Sequence, residues 1–496
     1  MPIAGPSDRG IAQGVAEAPA ATATLHPTGT LAATILGSSL AFIDSSVVNV
    51  GLPAIARDLG AGGAQLSWLI NAYLLPLGAL VLIGGVAGDR WGRKRVFLAG
   101  MAVFTLASLA CALAPGFAAL LAARVAQGLG AAFLMPASLA LLGAAFSGEE
   151  RGRAVGTWAA AGAITGALGP LTGGWLIDTL GWRAIFLVNL PLAVAAAWLT
   201  CRYVDESQGH DPAPLDWRGA ALATAGLATL TFCLTQLAGR HGGTGDSAAM
   251  APDAATWAAL AAGVMLLVGF VALEAVLGAK AMMPLALFGT KSFVGVSLLT
   301  LGLYAALGGM VVLLPYLLIE SGGYSAAQAG AALLPLPIVM GLGSRAAGRL
   351  AERAGARLLL SIGPCIVALG FLLFLRIGSG DVGYFSAVLP ALAVVACGLA
   401  LSVAPLTAAV MGAVDAAHVG SASGVNNATA RIAGLLATAL LGFVLAGGAK
   451  SAGFIASFHA AALVGCALCL LAGLSAFVLV RSEGVAVGQP SNRRSR

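Results

Sequence analysis

Asp44, Arg124 and Arg431 each stand inside a long apolar run. Within a bilayer, burying such a group costs at least about 2.5 to 3.5 kcal/mol, so each one requires a partner or a task. Asp44 is flanked by Ser45 and Ser46, and on a helix it shares a face with the small residues Gly37 and Ala41. Desolvation favours the neutral form of a carboxylate and a nearby cation favours the ionised form. A carboxylate opened by turns to either side of a membrane could therefore take up and release a proton. Arg124, with Gln127 three residues further on the same helical face, is the candidate cation; a permanent ion pair that merely pins two helices is the other reading. Arg431 follows Asn427 by four residues, and Asn427 follows Ser423 by four. That polar stripe either faces a cavity for an anionic or carbonyl-rich ligand or bridges helices. Gln127, Asn427 and Arg431 are thus the expected substrate-cavity residues.

The elements that would position these groups are membrane helices. The chain has 496 residues, 59% hydrophobic and only 9% charged, with 68 glycines and a mean hydropathy of +0.94. A soluble domain carries roughly a quarter charged residues, so the composition excludes a soluble enzyme. A spanning helix needs about 20 apolar residues, and that ruler gives fourteen candidate spans between residues 30 and 480. Alternation over about ten residues, the mark of a membrane β-barrel strand, is missing. The fold expected is all-α and polytopic. Residues 1–29 form an Ala- and Pro-rich tail, 30–203 a six-helix bundle, 204–291 a linker with two extra membrane helices, 292–481 a second six-helix bundle and 482–496 a basic tail.

Charge distribution orients this bundle. Most of the 26 lysines and arginines, among them Arg90, Arg93, Lys94, Arg95, Arg151, Arg153, Arg349 and Arg353, fall in segments on the side of the termini. By the positive-inside rule both termini lie in the cytoplasm of a cell-membrane protein. The net charge of +6 is then a topology signal, and no nucleic-acid partner is needed to explain it. Two loops on this side repeat a pattern, Gly85-x-x-x-Asp89-Arg90-x-Gly92 and Gly348-x-x-x-Glu352-Arg353-x-Gly355. Asp89 and Glu352 are 263 residues apart, and Gly152-x-Ala154-x-Gly156 recurs at Gly420-x-Ala422-x-Gly424 after 268. The chain therefore reads as two parallel six-helix repeats, an architecture that binds substrate near the midplane where the halves meet. The cations alone would serve topology, whereas Asp89 is not explained by it. Asp89, Arg90, Arg93, Glu352 and Arg353, set between Gly85 and Gly92 and in the matching loop, are expected to form a gating latch.

The stretch from Gly85 to Lys94, read Gly-Val-Ala-Gly-Asp-Arg-Trp-Gly-Arg-Lys, resembles the loop signature of the major facilitator superfamily. Four more stretches are similar to its fourteen-helix drug:proton antiporter branch: Asp44 to Pro53, Arg124 to Gly130, Gly169-Pro170-Leu-Thr-Gly173-Gly174, and Trp182 to Pro191. Two positions depart from the pattern, Ala87 for a larger apolar residue and Thr165, beside Gly166, for a glycine. The resemblance implies that Asp44 and Arg124 are a functional pair in which substrate and proton compete for one carboxylate. It also implies that Gly169, Pro170, Gly173 and Gly174 kink the fifth span and pack it closely against a neighbour.

The expected function is proton-coupled efflux of small amphipathic compounds by alternating access, working as a monomer, with the proton as coupling ion and no cofactor. An uptake symporter or facilitator is the alternative within transport, and a non-transporting membrane sensor the alternative of another class. An enzyme would need a metal site or a nucleophile with its base. The five histidines are scattered, and the seven cysteines, including the Cys466/Cys469 pair, lie in apolar surroundings that offer neither. Glu274 and Glu320, near span ends, are expected to reach the water.

Overall fold

A computed structural model describes residues 26–208, 216–240, 254–278, 281, 283–378, 382–414, 419–441, 444 and 452–481. The regular structure among them is helical throughout. First come α1 (Pro27–Leu59), α2 (Gly63–Trp91), α3 (Arg93–Ala112), α4 (Phe117–Ala145) and α5 (Gly148–Leu180). The short α6 (Ala184–Leu187) and α7 (Asn189–Tyr203) run on as one span. The inserted pair is α8 (Trp217–Arg240) and α9 (Ala254–Leu277). After a 3-10 turn at Leu285–Gly289 follow α10 (Lys291–Glu320), α11 (Ala326–Ala332), α12 (Pro335–Ala354), α13 (Ala356–Leu373), α14 (Leu389–Gly412), α15 (Val419–Leu440) and α16 (Ala452–Leu479).

Among the described residues, twelve helices are long and apolar enough to cross a membrane. Helix α2 adds a thirteenth if its two parts, Gln65–Val81 and Ile83–Trp91, bent by 55°, count as one span. Helix α15, which carries Asn426, Asn427, Thr429 and Arg431, is not among the twelve. The expected tenth span is broken. Leu333 N and Leu334 N bond to Gly330 O at 3.2 Å and Ala331 O at 3.1 Å, a tighter three-residue turn, and Pro335 and Pro337 have no N–H to continue the regular ladder.

Helices α1–α7 pack mainly on one another, as do α10–α16. Lipid adds no hydrophobic drive between helices, so close packing and polar contacts hold each set. Thr30 Oγ1 bonds to Tyr203 O at 3.2 Å, and Arg481 N to Ser292 Oγ at 3.2 Å. These contacts tie the start of α1 to the end of α7, and the start of α10 to the end of α16, at what is called here the termini end. Leu106, Met265, Val276, Leu463 and Phe477 point outward, as a lipid-facing surface requires.

The inserted helices have a defined place. Helix α8 lies against both α2 and α15, with Leu227 packed between Ala79 and Leu435, so it covers one of the two seams between the sets. Helix α9 packs chiefly on α8 and buries only Gly263, Phe270 and Glu274. The expectation that Glu274 reaches water is therefore corrected: it is fully buried, because the α8–α9 hairpin folds over it. Glu320 is partly exposed, as expected.

Candidate functional site

Six helices of the first set meet at Asp44. The residue sits in the middle of α1 with both carboxylate oxygens used: Arg124 Nη1 donates to Oδ2, and Gln127 Nε2 to Oδ1 at 2.7 Å. The three-residue spacing on α4 lets Arg124 Nη1 also donate to Gln127 Oε1 at 2.8 Å, closing a triangle. Its Nε reaches Leu69 O on α2 at 3.4 Å, and its guanidinium lies over the Tyr73 ring at 4.4 Å from the centroid, a favourable seat for a desolvated cation. A second layer holds Gln127. Ser108 on α3 accepts from Gln127 Nε2 at 3.3 Å and from Asn189 Nδ2 of α7 at 3.0 Å, and its hydroxyl donates to Phe186 O of α6 at 2.9 Å. Asp44 and Arg124 are each 1% exposed. A pair this dry offsets its desolvation only when its remaining lone pairs and N–H groups are also satisfied, which is what the amide, hydroxyl and carbonyl groups supply.

The pair is dry but not remote. A cavity of about 220 Å³ lies between the two sets of helices. One wall holds Ser45, Asn49, Tyr73 and Arg124, and the other Tyr304, Leu307 and Thr438. Thr438 Oγ1 also donates across the interface to Asn71 Oδ1, joining α15 to α2. Of the expected cavity residues, Gln127 lies behind the wall as the support of Asp44. Asn427 is exposed and donates back to Ser423 O of its own helix at 3.0 Å, so its place in the cavity is corrected; Asn426, one residue before, turns inward and accepts from Thr300 at 2.6 Å. Arg431 is half-buried where α15 meets α2, near Gly78 and within electrostatic range of Tyr73 and Tyr304. Among the described residues it makes no ion pair, and it is not on the cavity lining.

At the termini end the charged loop folds onto its own side. Arg93 bonds Asp89 at 2.8 Å, and Glu206, in the segment after α7, accepts from Lys94 N at 3.0 Å and Arg95 N at 3.2 Å. A carboxylate at the start of α3 is well placed for the unpaired N–H groups and the helix dipole. Gly92 makes this possible. Its φ is +104°, and a Cβ there would lie 2.7 Å from the Glu206 carboxylate. Gly355, at the matching loop position, has φ +84°. Arg90 and Arg353 are exposed, Gly85 lies on α2 beside Pro136, and the side chain of Glu352 is outside the described residues. Among the described residues no ion pair joins the two loops. Gly92→Ala is expected to cost about 1–3 kcal/mol through backbone strain, read as a lower melting temperature of the purified protein. Gly348→Ala, with nothing within 4 Å of the added methyl, should leave it unchanged.

At the far end the two sets touch backbone to backbone. Gly169 and Gly173 of α5 rest on Ser46 and Val47 of α1, while Gly174 faces Ala326 O of α11 and Gly330 of α11 faces Pro170 O of α5. Asp178 completes the contact, accepting from Ala326 N at 3.2 Å and Ala327 N at 2.9 Å at the start of α11. Helix α5 packs closely on α11 but little on α12, so this second seam is shut at the far end. Gly169, Gly173 and Gly174, with Pro170 O, lie in this close packing, and part of it joins the two sets.

Comparison with known proteins bears on this arrangement. The family model described as Major Facilitator Superfamily matches residues 34–438. The chain belongs to the major facilitator superfamily. It is 35% identical over 418 residues to "Multidrug resistance protein Stp" of Mycobacterium tuberculosis, covering 84% of this chain and 75% of that protein. With "Cephamycin export protein CmcT" of Amycolatopsis lactamdurans the identity is 36% over 441 residues, covering 87% and 88%. Among solved structures, a D-xylose-proton symporter shares the fold with a TM-score of 0.63 at 15% identity, covering 92% of this chain and 98% of that one.

For this superfamily member, sequence reading finds the embedded charges and Gln127, and misses most of the other neutral partners. Tyr73, Ser108, Asn71 and Thr438 have no motif of their own, and Asn189 stands in the Trp182 to Pro191 stretch with no partner indicated. The available signal is a polar side chain inside an apolar run, which becomes specific only when a helix neighbour is known.

Proposed function

We propose that this chain exports small amphipathic compounds, drugs or antibiotics, in exchange for protons, with Asp44 as the proton carrier. The observation that carries the reading is the Asp44–Arg124–Gln127 triangle, whose Arg124 lines the cavity between the two sets of helices. In its closed form Arg124 and Gln127 satisfy both carboxylate oxygens. A conformational change that draws Arg124 away removes that partner, and the carboxylate then takes a proton; the differential contact is what lets a proton shift the conformational balance. A cationic or hydrogen-bonding substrate entering past Tyr73 and Asn49 competes for the same carboxylate.

Related proteins named for multidrug resistance and cephamycin export support a drug or antibiotic as cargo. The helices α2 and α15, counted with the twelve, support fourteen spans in two repeated six-helix bundles, with the termini in the cytoplasm and the monomer as the working unit. On that topology the α5–α11 contact is the external gate, shut in this structure, and the charged loops are the cytoplasmic latch. Inverted membrane vesicles test the reading. A fluorescent amphipathic substrate should accumulate when the vesicle lumen is made acidic, so that protons run outward as substrate enters, and stop when an ionophore collapses the gradient. Accumulation that ignores the gradient refutes proton coupling, and movement in the opposite direction refutes export.

A further inference from the structure

The inserted hairpin brings together two acids that the Asp44 cluster does not use, Asp216 just before α8 and Glu274 on α9. We propose that Asp216 and Glu274 hold one proton between them, making a second proton-binding site at the termini end of the α8–α9 hairpin. Glu274 is fully buried. Its Oε2 accepts from Met283 N, and Asp216 Oδ1 accepts from Gly219 N at 2.8 Å. The other two oxygens, Glu274 Oε1 and Asp216 Oδ2, are buried and have no donor among the described residues. They converge on one place: a Cβ on Gly219 would lie 2.2 Å from Asp216 Oδ2 and 2.8 Å from Glu274 Oε1, and the two side chains stand within hydrogen-bond reach.

Two ionised carboxylates so placed would repel in a poorly screened site, and each would leave a buried acceptor unpaired. A single proton removes both faults. The protonated carboxyl becomes a donor, its O–H bonds to the facing carboxylate oxygen, and no further group is needed. A divalent cation would require several more oxygen ligands, and among the described residues no group of three metal-ligating side chains occurs. Asp216 is the only charged group bearing on Glu274 among those residues. Arg218 on α8 is exposed, and Asp89, Arg90 and Arg431, on the helices that pack against α8, do not act on it; Lys280 lies outside the described residues. The pair also does mechanical work, since Glu274 fastens Met283, in the segment that leads into α10. The shared proton is held at low pH. As pH rises it passes to the water at the termini end, the acids repel, and the hold on Met283 is lost.

The test uses full-length wild type, Glu274→Gln, Asp216→Asn and Asp44→Asn in lipid nanodiscs. Infrared spectroscopy should find one protonated-carboxyl carbonyl band, shifted by deuteration, that is lost in both hairpin variants and kept in Asp44→Asn. Amide exchange at residues 283–290 should quicken with pH beyond the intrinsic base-catalysed rise in wild type, and follow the intrinsic rate alone in Glu274→Gln, whose amide can bond both partners uncharged. Persistence of every acid band in both hairpin variants overturns the proposal. So does a band that returns only when Lys280→Met is introduced, which would mean that a lysine and not a proton neutralises the pair. Should Glu274→Gln fail to fold, Asp216→Asn reports the same band from the other side.

Discussion

Asp44→Asn is expected to reduce proton-driven efflux to the level of passive leak while the protein remains inserted. Neutralising the carboxylate removes the group that exchanges the proton and breaks the buried pair from one side, but Arg124 keeps Leu69 O, Gln127 Oε1 and the Tyr73 ring, so the stability cost should fall near the lower end of about 3–5 kcal/mol. Arg124→Met should be harsher. It strips a nearly unexposed carboxylate of its cation, and breaking a buried pair from one side costs about 3–5 kcal/mol. Combining the two replacements removes both charges, and most of that loss should return while transport does not. Melting temperatures and vesicle efflux of the three variants check this pattern. A double variant no more stable than Arg124→Met alone would show that the pair is not the source of the cost, and gradient-driven efflux by Asp44→Asn would remove Asp44 from the mechanism.

Gly174→Leu is expected to prop the far-end seam open. The added Cβ would stand 2.2 Å from Ala326 O, against backbone that cannot turn aside, and the same holds at Gly330, where Pro170 O lies 2.0 Å away. Overpacking of this kind costs about 1–3 kcal/mol. Spent on only one of two conformations, that shifts their ratio about 5- to 150-fold. Spin labels at Leu180 and Gln328, exposed on either side of the seam, should report a longer distance, and turnover should fall in proportion to the lost closed population. Gly166→Leu, on the same helix with nothing near its Cβ, is the control. An unchanged label distance in Gly174→Leu would show that α5 and α11 do not form a gate.

Legibility followed the energy scale of each group. Asp44 and Arg124 were legible because an embedded charge is too costly to be incidental, and Gly169 to Gly174 only through the family resemblance, since glycine is common in membrane helices. Ser108 and Tyr73 were not legible, since a polar side chain in a helix can satisfy itself on its own backbone, as Asn427 does; Asn189 stood in a family stretch, but its bond to Ser108 was not legible. Glu274 was misplaced for a different reason. Proximity to the end of a span predicts exposure only when nothing folds over that end, and the return of the chain at Met283 is a tertiary fact that spacing along one helix does not contain.

The two walls of the central cavity differ in what they can afford to change. The wall from α1, α2 and α4 carries the ion pair and its supports, where each substitution disturbs several hydrogen bonds at once. The facing wall, with Leu307, Gly308, Val311 and Ala430, is almost free of such bonds. A population of these exporters under a changing chemical challenge can therefore diversify its range of cargo by drift on α10 and α15, while the energy-coupling side is inherited intact.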